Sequence, residues 1–308
     1  MKPVSHRRGT IGRRQVLRSG VAAAVVWWAD RVQAAPRYPS APAPSAPSQP
    51  AGPRQPLPGD PPDKQNASGI TVRPDDPAIT TGMVDYAGVV GPIFGYLTGP
   101  KGTDVYPGVL LLHDAAGLTE HIKDIARRFA KAGLVALAPD LASRAGGTEK
   151  LGDPAKVAAA LAGIGSTQIL QDLNASVRYL QARPLVAKTR IGAATFGGGG
   201  NILWLILAGN HDVKAAVSVS GSIPPDRFVS NLNAAVLSIF GEDDRRRDDE
   251  AIHEFDTAMK KAGLAFLFKL EPKAGLDFFN DTSSRYVPDA AKDAWGMTLD
   301  WFAKHLTS

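Results

Sequence analysis

The chain has 308 residues, 35 Lys+Arg against 30 Asp+Glu, a formal charge of +5 and no cysteine. That length supports one large domain or two small ones with a sizeable core, and the missing cysteine excludes disulfides, thiolate metal ligands, a lipoprotein anchor and a cysteine nucleophile. Seven of the basic residues and one acid lie in residues 1–34, which leaves 28 basic against 29 acidic beyond them, so the basicity belongs to the leader and does not point to nucleic acid.

The leader reads Arg13-Arg14-Gln15-Val16-Leu17-Arg18, then the apolar stretch Gly20–Trp28, then Val32-Gln33-Ala34. A charged region, a short apolar core and a small-residue cleavage site together form a bacterial export signal, with cleavage expected after Ala34. The paired arginines with Val and Leu behind them resemble the twin-arginine type. That implies the twin-arginine translocase as a partner during export, and a periplasmic or secreted protein. Nine apolar residues fall short of the roughly 20 that a stable membrane span needs, although an uncleaved signal anchor is the rival reading. Residues 35–62 then hold 11 prolines among Ala, Ser, Gly and Gln. Such a segment cannot bury enough surface to offset its ordering entropy, so residues 35–63 are expected to form a disordered tether.

Residues 64–308 are expected to fold as one domain. Ile93–Thr98 reads as a strand paired with Met83–Ala87, and Gly108–His113 is a continuous apolar run of the kind buried on both faces of a sheet. Glu120–Ala132 has helical spacing, Leu134–Ala138 is the next buried strand, and the Gly/Ala-rich stretch after Pro139-Asp140 reads as a long loop. Helices are expected at Gln168–Gln181, Gly199–Leu207, Asp249–Lys261 and Ala290–His305, and strands at Arg190–Thr195, Lys214–Val219, Ala235–Phe240 and Ala265–Leu270. This alternation predicts an α/β domain with a mainly parallel sheet covered by helices on both faces. Six scattered histidines make no metal-ligand spacing, and no Walker loop or dinucleotide fingerprint is present, so no cofactor is expected.

In such a sheet, ligand and catalytic groups gather at the carboxyl ends of the strands. Four of these ends are distinctive: His113-Asp114-Ala115-Ala116-Gly117, Thr195-Phe196-Gly197-Gly198-Gly199-Gly200, Gly241-Glu242-Asp243-Asp244 and Ala274-Gly275-Leu276-Asp277-Phe278-Phe279-Asn280-Asp281. Their order and spacing, with Ala136-Leu137-Ala138-Pro139-Asp140-Leu141 and Asn280-Asp281-Thr282, resemble the dienelactone hydrolase family of α/β-hydrolases from about Met83 to Leu306. The resemblance implies an α/β-hydrolase fold and an ester- or lactone-cleaving ancestry.

The departures from that family carry as much information as the matches. By the resemblance, the nucleophile position falls on Gly197 and the histidine position on Leu276, while the acid is retained as Asp244. Glycine offers no atom to attack a carbonyl, and leucine cannot move a proton. Residues 190–205 contain no serine or cysteine and residues 254–304 no histidine, so a small shift of register restores neither. The elbow residue is held at positive φ, a strained conformation for a residue with a side chain but a free one for glycine. The turn and the helix start after it, including Gly198, are therefore expected to survive as an anion-friendly nest. A simple flexible glycine loop is the plainer alternative.

The resemblance also marks neighbours of the cleft. His113 lies in the family's oxyanion-hole loop, and its plain reading is a ring that tethers loop backbone. Asp114 stands where the family carries a glutamate. Arg144 and Arg285 look like the family's carboxylate-binding arginines, or else are solvated charges. Asp277 reads as a loop cap, and Arg245-Arg246-Arg247-Asp248-Asp249-Glu250 as a solvated face with acids at a helix start.

Three readings follow. The first is a non-hydrolytic homologue that binds a small carboxylate-like ligand or a partner. The second is an active ester or lactone hydrolase with relocated groups at Asp114 or His113. The third is a structural interaction module.

Overall fold

A computed structural model describes residues 71–307 as one eight-stranded sheet with helices on both faces. The expected leader and the whole of the expected tether lie outside the described residues. In chain order the strands are β1 (Ile79–Ala87), β2 (Pro92–Pro100), β3 (Tyr106–Leu112), β4 (Val135–Pro139), β5 (Val186–Phe196), β6 (Val213–Val219), β7 (Ala235–Gly241) and β8 (Phe266–Glu271). The helices are α1 (Glu120–Lys131), α2 (Thr148–Leu151), α3 (Pro154–Ala162), α4 (Ser166–Gln181), α5 (Gly200–Gly209), α6 (Asp249–Lys261) and α7 (Pro288–His305).

The sheet order is β1-β2-β4-β3-β5-β6-β7-β8. The β1–β2 and β2–β4 pairings are antiparallel, and every pairing from β4 to β8 is parallel. The parallel strands are apolar along their whole length because each face is covered. Leu110, Leu112, Ala193, Ala216 and Val236 meet Leu173, Leu180, Leu203, Trp204 and Phe255 from α4, α5 and α6. The alternate residues Val109, Leu111, Ala194, Val217 and Leu237 meet Ile125, Phe129, Trp295 and Phe302 from α1 and α7. This period-two division of one strand between two cores fixes the register.

One expectation needs correction. The stretch after Pro139-Asp140 is an ordered cap rather than a long loop, with a 3-10 turn at Ser143–Ala145 followed by α2 and α3. The Asp140 carboxylate organises it by accepting from the Ala142 N–H at 3.0 Å, the Thr148 N–H at 2.6 Å and the Thr148 hydroxyl at 2.9 Å. Asp153 then caps α3 by accepting from the Ala155 and Lys156 N–H groups, with Pro154 in the first turn. Both are start signals for a helix, and they outweigh the weak periodicity of an Ala/Gly-rich segment.

Candidate functional site

The carboxyl ends of β3, β5, β7 and β8 carry the expected site. At the end of β5 the chain turns sharply at Gly197, whose φ is +108°. Its N–H donates to the Val219 carbonyl of β6 at 2.8 Å. Only glycine adopts this conformation without strain, and α5 begins three residues later. The turn packs closely from behind, because a Cβ on Gly200 would lie 2.5 Å from the Ser222 nitrogen.

On its open side Gly197 has one neighbour. A Cβ placed there would meet the Asp114 Oδ2 at 3.3 Å and nothing else within 4 Å. Asp114 is half-buried, and its Oδ1 is held by the Ala116 N–H at 2.9 Å. Gly198 is exposed beside it. A tight strand-to-helix turn with positive φ is therefore present where the resemblance puts the nucleophile, with the Asp114 carboxylate beside it.

His113 does not belong to a cleft. It is fully buried, with Nδ1 2.7 Å from the Asp114 carbonyl and Nε2 accepting from the Leu141 N–H at 3.0 Å. Because Nε2 accepts, Nδ1 carries the proton. Burial outweighs the Asp114 carbonyl and nearby carboxylates, holding the ring below its ordinary pKa and neutral. Both nitrogens are committed to backbone, so the ring ties the Asp114 loop to the cap after β4 and cannot pass protons to a ligand.

Of the two arginines, Arg144 meets neither expectation, while Arg285 is a largely exposed charge. Arg144 turns its fork onto the buried Asp172 of α4, at 2.6 and 2.8 Å, a bidentate pair that leaves no fork for a ligand carboxylate. Arg285 is 59% exposed and sits 3.1 Å from Asp277. Asp277 itself holds a φ of +66°, and its carbonyl accepts from the Asn280 N–H at 3.0 Å.

Asp244 is buried in the turn after β7, with its side chain 1% exposed. Its partner is Arg246 rather than an imidazole. Arg246 donates from Nε at 3.1 Å and from Nη2 at 2.8 Å to the two carboxylate oxygens, and its backbone N–H adds a third bond at 3.0 Å. Burial pushes the Asp244 carboxyl up, but the Arg246 side-chain and backbone hydrogen bonds outweigh it and hold the group below its ordinary pKa. It is ionised at neutral pH. The Asp243 N–H donates to the Ala274 carbonyl at 2.8 Å, which joins this turn to the loop carrying the half-buried Leu276.

Sequence reasoning placed Arg246 on a solvated face; only its two-residue offset from Asp244 hinted otherwise. It also passed over Ser220, which follows β6 at φ +56° and is buried. The Ser220 carbonyl accepts from Arg246 at 2.9 Å. Among the described residues no group of three or more His, Asp or Glu is placed to hold a metal ion, and no helix is long and apolar enough to cross a membrane.

Residues 93–306 match the family model described as the dienelactone hydrolase family. A Methylorubrum extorquens protein provisionally named carboxymethylenebutenolidase is 30% identical over 250 residues, covering 78% of this chain and 86% of that one. An Escherichia coli protein with the same provisional name is 30% identical over 251 residues, covering 78% and 92%. Among solved structures, one from Klebsiella pneumoniae provisionally assigned as a dienelactone hydrolase is 27% identical. It has a TM-score of 0.67 and covers 74% of this chain and all of that one. The dienelactone hydrolase of Anabaena variabilis, at 19% identity and a TM-score of 0.56, shares the fold. With the family model spanning residues 93–306 and relatives 30% identical along most of their length, the chain belongs to the dienelactone hydrolase family.

Proposed function

We propose that this chain is a non-hydrolytic member of its family, which binds a small carboxylate-like ligand at the carboxyl ends of β5 to β8 after export by the twin-arginine route. The observation that carries the reading is Gly197 itself: the elbow keeps its positive φ, with no nucleophilic atom on it. Three further facts support it. The family resemblance puts Leu276 at the histidine position, the Asp244 carboxylate is taken by Arg246, and His113 in the neighbouring loop has both nitrogens bound to backbone. Without nucleophile and base, most of the rate advantage of a triad is lost.

A second reading rests on Asp114. Its Oδ2 faces the space left by Gly197, so a water there has a carboxylate for a base. In that chemistry Asp114 takes a proton from water, the water oxygen attacks an ester carbonyl, and the proton passes on to the departing alkoxide. The two readings differ in turnover and in ligand-dependent stability. A ligand of the native state at about 100 times its Kd raises stability by about 2.7 kcal/mol, which is a rise of several degrees in Tm. Melting of the full chain with a panel of small carboxylates is expected to show such a rise for at least one member. No shift across the panel contradicts ligand binding and favours an interaction module.

A further inference from the structure

Arg246 stands apart from the other cations near the site. Asp244 occupies its Nε and Nη2, the Ser220 carbonyl shares Nη2, and no described atom accepts from Nη1. The side chain is still 46% exposed, so a guanidinium held rigid by a buried carboxylate presents its free edge outward. Arg246 lines a cleft of about 230 Å³ between the Ser222–Pro225 segment and the start of α6. The cleft adjoins the elbow helix, since the Ser222 hydroxyl donates to the Asn201 Oδ1 of α5 at 2.7 Å and the Trp204 indole donates to the Ser222 carbonyl at 2.6 Å.

The remaining lining has two characters. Ile223, Pro225, Phe240 and Ile252 give it apolar walls, while Asp248 and Glu254 bring two carboxylates. Asp248 Oδ1 caps α6 by accepting from the Ala251 N–H at 3.0 Å, and its second oxygen remains available. Asp244 cancels the charge of Arg246, so the local balance is negative. A lone carboxylate finds a donor at Nη1 but is repelled by two acids, and a lone cation finds the acids but leaves Nη1 unused. A molecule with both groups on a short apolar body satisfies every element. The volume lies below that of a site for drug-sized ligands, which limits the occupant to a small molecule.

We propose that this cleft is the ligand seat, and that its ligand is a small zwitterion of the amino-acid type with a branched apolar side chain. Its carboxylate sits on Arg246 and its ammonium faces Asp248 and Glu254. This inference rests on the ligand-binding reading and names the ligand class for it.

The test is calorimetric titration of the full chain at pH 7 and low salt with three probes: L-leucine, 4-methylpentanoate, which lacks the ammonium, and L-leucinamide, which lacks the carboxylate. L-leucine is expected to bind about tenfold or more tightly than either analogue, the ratio that one charge-assisted contact supplies. Arg246→Gln is expected to erase the preference for L-leucine over leucinamide. Glu254→Gln, on an exposed helix position where folding is not at stake, is expected to narrow the preference over 4-methylpentanoate. If 4-methylpentanoate binds as tightly as L-leucine, the zwitterion assignment is overturned while carboxylate binding remains; if Arg246→Gln binds L-leucine unchanged, Arg246 does not hold the carboxylate and the proposal is overturned. If no probe binds, the cleft is not a ligand seat.

Discussion

Two buried aspartates, Asp244 and Asp281, are each paired with an arginine, and the two regions use that pair differently. Asp281 lies in the loop before α7, with its side chain 5% exposed. It takes Arg128 of α1, accepts from the Thr71 hydroxyl at 2.9 Å and lies 3.5 Å from the His121 Nδ1. Arg128 also donates to Asp124 at 2.6 Å, while Asp124 accepts from the Val72 N–H at 2.8 Å and Arg127 donates to the Val72 carbonyl at 2.6 Å. This cluster ties the first described residues, α1 and the Asp281 loop together, and its charges face each other. Asp244 pairs instead with Arg246, a half-exposed arginine of its own turn that lines a cleft. The Asp281 cluster also borders a cleft of about 200 Å³, but both of its arginines are buried, so its charges belong to the fold. An ion pair with an open edge is available to a ligand.

The largest expected effect tests whether the Asp244 turn is still an acid turn. Gly197→Cys combined with Leu276→His is expected to gain turnover of activated esters over the parent chain. Adding Arg246→Ala frees Asp244 to orient the imidazole and is expected to raise the rate further, since the acid of a triad contributes up to about 10⁴ in kcat. A folded double variant with no gain breaks the assignment of the elbow. Gly197→Cys carries its own cost of about 1–3 kcal/mol, because cysteine must adopt the +108° φ.

The next effect is on stability. Asp281→Ala takes one of two carboxylates from the buried Arg128, which keeps Asp124, and is expected to lose about 2–3 kcal/mol in urea unfolding. Arg246→Gln, at a half-exposed pair, is expected to lose about 1 kcal/mol or less. Equal losses would erase the distinction between the two regions.

Acid titration sharpens the same contrast, with Glu271 as a third case. Glu271 ends β8, is 1% exposed, and has one oxygen without a partner. Burial is the main cause that pushes its carboxyl up to about 7, with Lys269 opposing and Asp293 adding to the rise. Its folded pKa is above the unfolded one, so its contribution is fully present below about pH 4.5 and is lost as pH rises through 7. On the order of 3 kcal/mol of stability is expected to disappear across that window, and Glu271→Gln is expected to flatten the slope.

Asp281 shows the opposite sign. Burial raises its carboxyl, but the nearby His121 ring, the Arg128 charge and the Thr71 hydroxyl outweigh it and bring it to about 2. Its contribution is present above about pH 4 and lost as pH falls toward 2, about 2 kcal/mol that is absent in Asp281→Asn.

The sheet was legible because its strands are continuous apolar runs such as Gly108–His113, which only a two-sided burial explains. The turns at Gly197 and Asp244 were marked by the family resemblance, and each is built within a few residues of one strand end. What was not legible depends on partners far along the chain. His113 acquires its role from the Leu141 N–H, 28 residues away, and Arg144 loses its ligand role to Asp172 at the same separation. The Asp281 cluster spans 153 residues to Arg128. Arg246 was hidden for the opposite reason, as a local pair inside a charge run whose alternating signs suit a solvated surface equally well. The cap after β4 was missed because its helices depend on Asp140 and Asp153 more than on an apolar stripe.

The most direct test of the central claim is steady-state hydrolysis of an activated ester and an unsaturated lactone by the full chain, beside its Asp114→Asn variant. A non-hydrolytic chain gives the buffer rate for both proteins with both substrates. Turnover above that rate that vanishes in Asp114→Asn would contradict it, and would assign the space beside Gly197 to a reacting water.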